Sequence, residues 1–516
     1  MRIRPCGDRA FLAELDSLDA VLALHAALAT RRPAGVVDLV PAARTLLVRA
    51  ADPDAAAAAR ALIATLDLTA APQRDDALVE IRVHYDGADL ADVAQATGLS
   101  VDAVVAAHTG QVWTAAFGGF APGFTYCVGE NDSLTVPRRA TPRTSVPAGA
   151  VGLAGEFSAV YPRATPGGWQ LIGTSPDVLW DAARTPPALV APGNRVRYVA
   201  AREAVTLRPT PAEKAAARPV PADQGLEILT TGAQALVQDR GRPGFADLGV
   251  SASGAADRAS AAAANTLVGN PPDAALIECV ADPSSDALAV RARETLLVAV
   301  TGASVRLTLT GPATCAEPPA DTPLVLLAGH TLTLGEADAG LRAYLAVRGG
   351  LAAGRVLGSA ATDLLSGEGP APLRPGDVLA TGRTTGLAAV PLARHATPSL
   401  PRHLDARVHL GPRDDWFTPD ALTSFLAQRW TVTPRSNRIG MRLAGEPLTR
   451  VVTGELRSEG VVAGAVQVPA DGQPVVFGPD HPVTGGYPVI AVVADADIDR
   501  LAQLPPGSTV RFVRAD

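Results

Sequence analysis

Two sets of residues have the types and spacing that chemistry requires. The first lies in Pro137-Arg138-Arg139-Ala140-Thr141-Pro142-Arg143, where three guanidiniums fall within six residues and prolines stiffen the backbone. Arginine binds carboxylate or phosphate through two parallel N–H bonds, so this spacing describes an anion clamp, with an exposed, solvated turn as the plainer alternative. Gln170, on a strand after Gly167-Gly168, is placed to serve the same pocket, and Tyr126 closes the preceding motif Gly119-Phe120-Ala121-Pro122-Gly123-Phe124-Thr125-Tyr126. His108 ends an apolar helical face made with Val101, Val104 and Val105, near a helix C-terminus that favours a cation. A satisfied core histidine is the plainer reading of that pattern, and a catalytic one the alternative.

The second set is spread over the other half: Asp239, Asp257-Arg258, Asp363, Arg438, Glu459, Gln467 and Asp480-His481, with Thr484 and Tyr487 in the turn that follows. Carboxylates beside a nucleotide can hold Mg²⁺ through one or two oxygens, which makes Asp480 and Glu459 candidate ligands and His481 a candidate acid or base. Turn-forming aspartates and surface ion pairs produce the same letters. Ser253-Gly254 and Ser458-Glu459-Gly460 lack the nucleophile-elbow context, so a serine hydrolase is not expected.

These residues need a scaffold, and the pattern describes a β one. From Val461 to Val493, short alternating apolar runs (Val466, Val468; Val475–Phe477; Val489–Val493) flank two polar turns, which reads as strands joined by side-chain-bearing loops. The same grammar occurs at Val146 to Thr174. Ala148-Gly149-Ala150-Val151 matches Ala463-Gly464-Ala465-Val466, and each copy is followed by a closing strand, at Arg195–Val199 and Thr509–Val513. Two related β modules are expected, one ending each half.

Around them, residues 1–80 read as a small α/β lobe. Strands near Ala10–Leu15, Val36–Leu39, Thr45–Arg49 and Leu78–His84 alternate with helices at Leu18–Thr30 and after Asp52-Pro53, a β-α-β-β-α-β pattern of ferredoxin-like type. The division expected is 1–80, a β domain at 81–205, a Pro/Ala linker at 206–223, a β-rich lobe at 224–400 and a second β lobe at 401–516.

A chain of 516 residues is long enough for several domains, and 48 Gly and 44 Pro favour a turn-rich fold. The net charge of −7 gives no reason to expect nucleic acid or an anionic membrane as partner. Four scattered cysteines suggest neither zinc nor disulfides, and a cytoplasmic protein is expected. The single lysine, Lys214, lies in the Pro/Ala segment. That excludes a Walker A loop, a Schiff-base lysine and a covalently bound biotin on an ordered element, so arginine must carry the fixed positive charge.

Gly119–Tyr126, PRRATPRTSVPAGAV and PGGWQLIGTSP resemble the B component of bacterial ATP-dependent 5-oxoprolinase, also called allophanate hydrolase subunit 1. VQDRGRPGFADLGV, SGAADR, AYLAVRGG, VLGSAATDL, RIGMRL and SEGVVAGAVQVPADGQPVV resemble the C component, the biotin-dependent carboxyltransferase-like or allophanate hydrolase subunit 2 family. The resemblance covers nearly the whole chain, as a B–C fusion. It implies a mostly β, α+β protein with cyclophilin-like β-barrels in both halves. It also implies ATP and Mg²⁺, a small-molecule substrate, a LamB/YcsF-type partner (the A component), and roles for His108, Arg138, Arg143, Gln170, Asp239, Arg258, Glu459, Gln467, Asp480 and Tyr487; a homo-oligomer is expected, with the number of chains open. Which residue is the base, and where ATP sits between the halves, stays open. The related alternatives are the carboxyltransferase of a urea carboxylase, needing a separate biotin carrier, and a non-enzymatic regulator of a histidine kinase.

Overall fold

Arg2–Pro5, a short strand the sequence pattern does not announce, forms the edge of an N-terminal sheet that continues through Ala10–Glu14 and Thr45–Ala50 to Val36–Pro41. The computed structural model describes residues 1–66, 68, 78–201, 221, 223–282, 286–391, 395, 400–454 and 456–515, so most of the expected linker at 206–223 lies outside the described residues. Helices Leu18–Thr30 and Pro53–Ile63 cover one face of this sheet through Val21, Leu24, Leu28, Ala59 and Ile63. Asp52 caps the second helix by accepting a bond from the Ala55 N–H at 2.8 Å, ahead of the proline that the first helical turn tolerates.

The strand order is ferredoxin-like, yet one expectation is corrected. Leu78–Val83 does not close this sheet. Arg2–Pro5 holds that edge, and Leu78–Val83 pairs in parallel with Arg195–Ala200, burying Ile81 and Val83 in a different core. Alternation gives a strand its faces but does not name its partner.

That core belongs to a seven-stranded sheet in the order Leu78–Val83, Arg195–Ala200, Trp113–Gly119, Ala121–Val128, Phe157–Val160, Ala150–Ala154, Gln170–Thr174. Its two ends meet where His84 and Thr174 exchange backbone bonds of 2.8 Å each, which closes a barrel. A second closed barrel runs His403–Leu410, Thr509–Arg514, Trp430–Val432, Gly440–Ala444, Val475–Phe477, Ala465–Gln467, Val489–Val493.

Position for position the two barrels match. Each has a single parallel pair, in the same place. Gly149 and Gly464 both sit at φ 82° and donate 2.8 Å bonds to the carbonyls of Tyr161 and Phe477 respectively. The indole N–H of Trp113 bonds the carbonyl of His108 at 3.0 Å, and that of Trp430 bonds Phe425 at 3.2 Å. The chain is thus mostly β with a repeated barrel.

Between the barrels lies a lobe built on a nine-stranded sheet, with long strands Leu296–Gly311 and Thr331–Val347 and the helix Arg258–Leu267. The lobes cross over. The uncovered face of the N-terminal sheet (Cys6, Leu12, Val40, Leu47) packs on Val461, Val462, Phe477 and Val492 of the second barrel. Each such aliphatic side chain, fully buried, contributes about 1.5–3 kcal/mol, so this contact binds the first residues of the chain to the last barrel. The central lobe in turn meets the first barrel at Gly118 and Ala121. Among the described residues no single helix is long and apolar enough to cross a membrane.

Candidate functional site

The hairpin Trp113–Gly119/Ala121–Val128 wedges its turn between the central lobe and the second barrel. A Cβ on Gly118 would lie 2.3 Å from the Asp247 carbonyl oxygen, and one on Gly119 2.3 Å from Thr484 Oγ1, so both contacts require glycine. Between them and Ala121, Phe120 adopts φ 64°, a left-handed conformation costly for an aromatic residue, and its ring stays 37% exposed. That ring meets Phe124 edge-on at 5.3 Å and Tyr161 at 6.5 Å.

Behind Phe120 stand two buried phenols. Burial raises the pKa of Tyr126 to about 12, opposed by the positive charge of Arg138 and by a hydrogen bond with Ser458 from the second barrel. Burial likewise raises Tyr161, and Arg138 and Arg143 oppose it. Gly119 against Thr484, Tyr126 against Ser458, and Glu156 against Arg457 at 3.1 Å join the first barrel to the second along one seam.

The expected clamp of three arginines is only partly present. Arg139 Nη1 and Arg143 Nη2 both bond Asp89 Oδ1, at 2.6 and 2.8 Å, while Asp89 Oδ2 accepts the Leu171 N–H at 2.7 Å. Burial alone would raise the Asp89 carboxyl, but Arg143 and the other bonds hold it below the usual range. Arg143 is thereby committed to a structural pair. Arg138 is exposed and makes no hydrogen bond or ion pair among the described residues. Gln170 donates to the Pro137 carbonyl at 3.3 Å and leaves its own buried Oε1 without a partner.

In the second half the structure places most of the candidate catalytic groups in sealed, hydrogen-bonded settings. Asp480 and Arg438 are 0% and 1% exposed. Arg438 Nε bonds Asp480 Oδ2 and its Nη2 bonds Oδ1, both at 2.9 Å, and Nη1 reaches Glu278 at 2.5 Å. Asp480 also accepts Ser253 Oγ at 2.7 Å and the Leu364 N–H at 3.1 Å. Asp239 takes Gly241 N–H, Ser359 Oγ and Ala360 N–H at 2.8, 2.6 and 2.7 Å, which fixes two turns together. Glu459 is held by Arg413, whose Nε bonds it at 3.0 Å and whose Nη2 also contacts Glu14 at 2.9 Å. With these oxygens engaged, Asp480 and Glu459 do not fit as Mg²⁺ ligands. Arg258 is likewise spent, on Asp495 and Asp499 at 2.9 Å each.

His108 is 0% exposed, bonded to the Tyr85 hydroxyl at 2.7 Å and Ser158 Oγ at 2.9 Å and stacked on Tyr198 at 4.1 Å. Burial depresses its pKa to about 3. In the second barrel Phe425 takes the equivalent place, stacked on Phe512 at 4.7 Å, so His108 is a core residue. His481 is buried too, with Nδ1 2.7 Å from the Pro482 carbonyl. Gln467 donates to the Tyr487 carbonyl at 3.1 Å, which steadies the exposed Tyr487 turn.

Sequence reasoning does not reach Asp89; it meets Phe120 only inside the Gly119–Tyr126 motif, Ser458 only as an unsuited nucleophile, and, of the keystone loop from Ser359 to Gly369, only Asp363. That loop is gripped by Asp239 and Asp480, by Arg163 of the first barrel through the Leu365 and Ser366 carbonyls, and by Trp180, which bonds Glu368 at 2.8 Å. The fragment VLGSAATDL and the candidate Asp363 within it are the signals for it.

Comparison with known proteins follows the same division. Residues 248–514 match the model for carboxyltransferase domain, subdomains A and B, and residues 1–190 match subdomains C and D. The chain is 36% identical over 292 residues to the C component of 5-oxoprolinase from Escherichia coli K12, covering 56% of this chain and 91% of that one. It is 42% identical over 175 residues to the B component of 5-oxoprolinase from Escherichia coli O157:H7, covering 33% and 80%. It is 31% identical to the urea amidolyase of Saccharomyces cerevisiae over 16% of that protein's length and 56% of this chain. The crystal structure of TTHA0988 superposes with a TM-score of 0.87 at 33% identity, over 98% of this chain and 99% of that one. With its own barrels, lobes and seam arranged as the two models divide it, the chain belongs to the carboxyltransferase-domain family, carrying subdomains C and D in its first half and A and B in its second.

Proposed function

We propose that this chain is the fused B–C component of an ATP-dependent 5-oxoprolinase, opening 5-oxo-L-proline to L-glutamate together with a LamB/YcsF-type A component. The observation that carries it is that one polypeptide is similar to both the C and the B components of 5-oxoprolinase, over 91% and 80% of their lengths. A lactam is stabilised by amide resonance. Transfer of the γ-phosphoryl group to its oxygen releases ADP and leaves an activated imidate. Water then adds at that carbon, the carbon–nitrogen bond breaks to free the amine and leave γ-glutamyl phosphate, and a second water hydrolyses this acyl phosphate to glutamate and phosphate.

The chain's share is to bind and orient. Arg138 supplies a free guanidinium at the seam, and Tyr126 and Ser458 supply hydroxyls from the two halves. ATP is the co-substrate of this reading and Mg²⁺ its counter-ion, the latter not held by Asp480 or Glu459. The carboxylates of this chain at the seam are engaged in structural bonds, so proton transfer falls to the partner or to the substrates.

The test is glutamate release from 5-oxoproline, ATP and Mg²⁺ by this chain mixed with the LamB/YcsF-type protein, with each alone as control. Activity in the mixture alone supports the reading. Silence, with both proteins folded, shifts weight to a urea-type carboxyltransferase, which the 31% identity to urea amidolyase favours and which would need a separate biotin carrier.

A further inference from the structure

We infer that the surface between Phe120 and Arg138 is where the chain takes its organic substrate, a small planar amide ring bearing a carboxylate, with the ring face on Phe120 and the carboxylate on Arg138. The inference rests on the oxoprolinase reading for the identity of the ring and goes beyond it in locating the subsite in the first barrel.

Three independent features carry it. Phe120 is an aromatic residue held at φ 64° and left 37% exposed, while its flanking residues Gly119 and Ala121 are buried. A glycine would occupy that conformation without strain, so the ring is kept against a backbone preference. Arg138 is the one guanidinium of the Pro137–Arg143 segment that Asp89 does not take. Tyr161 places the two near each other: its ring lies 6.5 Å from that of Phe120, and its hydroxyl lies against Gly167, where a Cβ would come within 2.4 Å, while the carbonyl of the next residue, Gly168, accepts the N–H of Arg139, the neighbour of Arg138, at 2.8 Å. An exposed aromatic face beside an unpaired, fork-shaped cation suits a flat amide with a carboxylate substituent.

Two probes separate the parts: 5-oxo-L-proline, and 2-pyrrolidinone, the same ring without the carboxylate. Binding of each is measured by calorimetry on the full chain mixed with its LamB/YcsF-type partner, for the unchanged protein, Arg138→Gln and Phe120→Gly. The unchanged protein should prefer 5-oxoproline at least tenfold, and Arg138→Gln should abolish that preference while binding 2-pyrrolidinone as before. Phe120→Gly should weaken both ligands at least fivefold yet melt no lower than the unchanged protein, because glycine relieves the backbone. A preference that survives Arg138→Gln overturns the inference even if glutamate is released, as does failure of the unchanged protein to bind 5-oxoproline. A Phe120→Gly protein that melts lower and binds normally overturns the platform role. An Arg138-dependent preference in a mixture that releases no glutamate upholds the subsite and refutes the oxoprolinase reading.

Discussion

Arg438 and Asp480 face each other in a two-point ion pair, with both N–O distances 2.9 Å and neither side chain more than 1% exposed. The pair joins the second barrel to Glu278 and Leu364 of the central lobe. Removing one partner leaves an uncompensated buried charge, so Asp480→Ala should cost about 3–5 kcal/mol, read as a lower denaturant midpoint or loss of soluble protein. Replacing both partners by apolar residues should recover part of that loss. A normally stable Asp480→Ala protein with abolished turnover would instead make Asp480 catalytic.

Gly119 touches the other half where Thr484 stands. Gly119→Ala should push the wedge out of the seam and lower the melting temperature, by about 1–3 kcal/mol of overpacking. The obstructing atom is a side-chain oxygen at 2.3 Å, so adding Thr484→Ala should restore much of the stability. If the double variant is no better than the single, the strain lies in the backbone.

His108 gives a pH prediction of definite sign. The unfolded imidazole takes up a proton near pH 6.5 and the buried one only near 3, so its contribution is fully present above pH 6.5 and is lost as pH falls from 6.5 toward 3. Across that window the slope approaches about 1.4 kcal/mol per pH unit. His108→Phe, which copies Phe425, should flatten this acid arm while lowering neutral-pH stability by about 1–3 kcal/mol, since Tyr85 and Ser158 lose their partner. Urea midpoints between pH 7 and 4 decide it, and an unchanged acid slope refutes it.

A polypeptide divided between residues 201 and 223 should stay together. Arg4 reaches Pro412 and Asp415 at 3.0 and 2.9 Å, and the apolar contact around Leu12, Leu47 and Val461 is continuous across the cut. The two pieces, co-expressed, should elute as one species at the mass of the intact chain, and two separate peaks would contradict the interlocked arrangement.

How much of this the letters carried depends on distance along the chain. The barrel repeat was legible because Ala148–Val151 and Ala463–Val466 repeat a local turn, and the Asp52-Pro53 helix start because a cap is written within four residues. The pattern does not announce the Arg2–Pro5 edge strand and does not name the partner of Leu78–Val83, because pairing partners are chosen by tertiary packing. The site suffered most. Asp89 neutralises arginines 50 and 54 residues away, and Glu278 meets Arg438 across 160, so nothing local separates a free charge from a buried, paired one. Arg138 and Arg143 look alike in sequence, and only the fold tells them apart.

The contact between the N-terminal sheet and the second barrel has a consequence for how the protein is made. Cys6, Leu12 and Leu47 leave the ribosome long before the residues that cover them, from Val461 to Val492. Throughout translation of the intervening chain, one apolar face of the first lobe stays open to solvent and to other chains. The order of synthesis thus runs against the order of burial, because the N-terminal sheet waits for the second of the two barrels to shelter it.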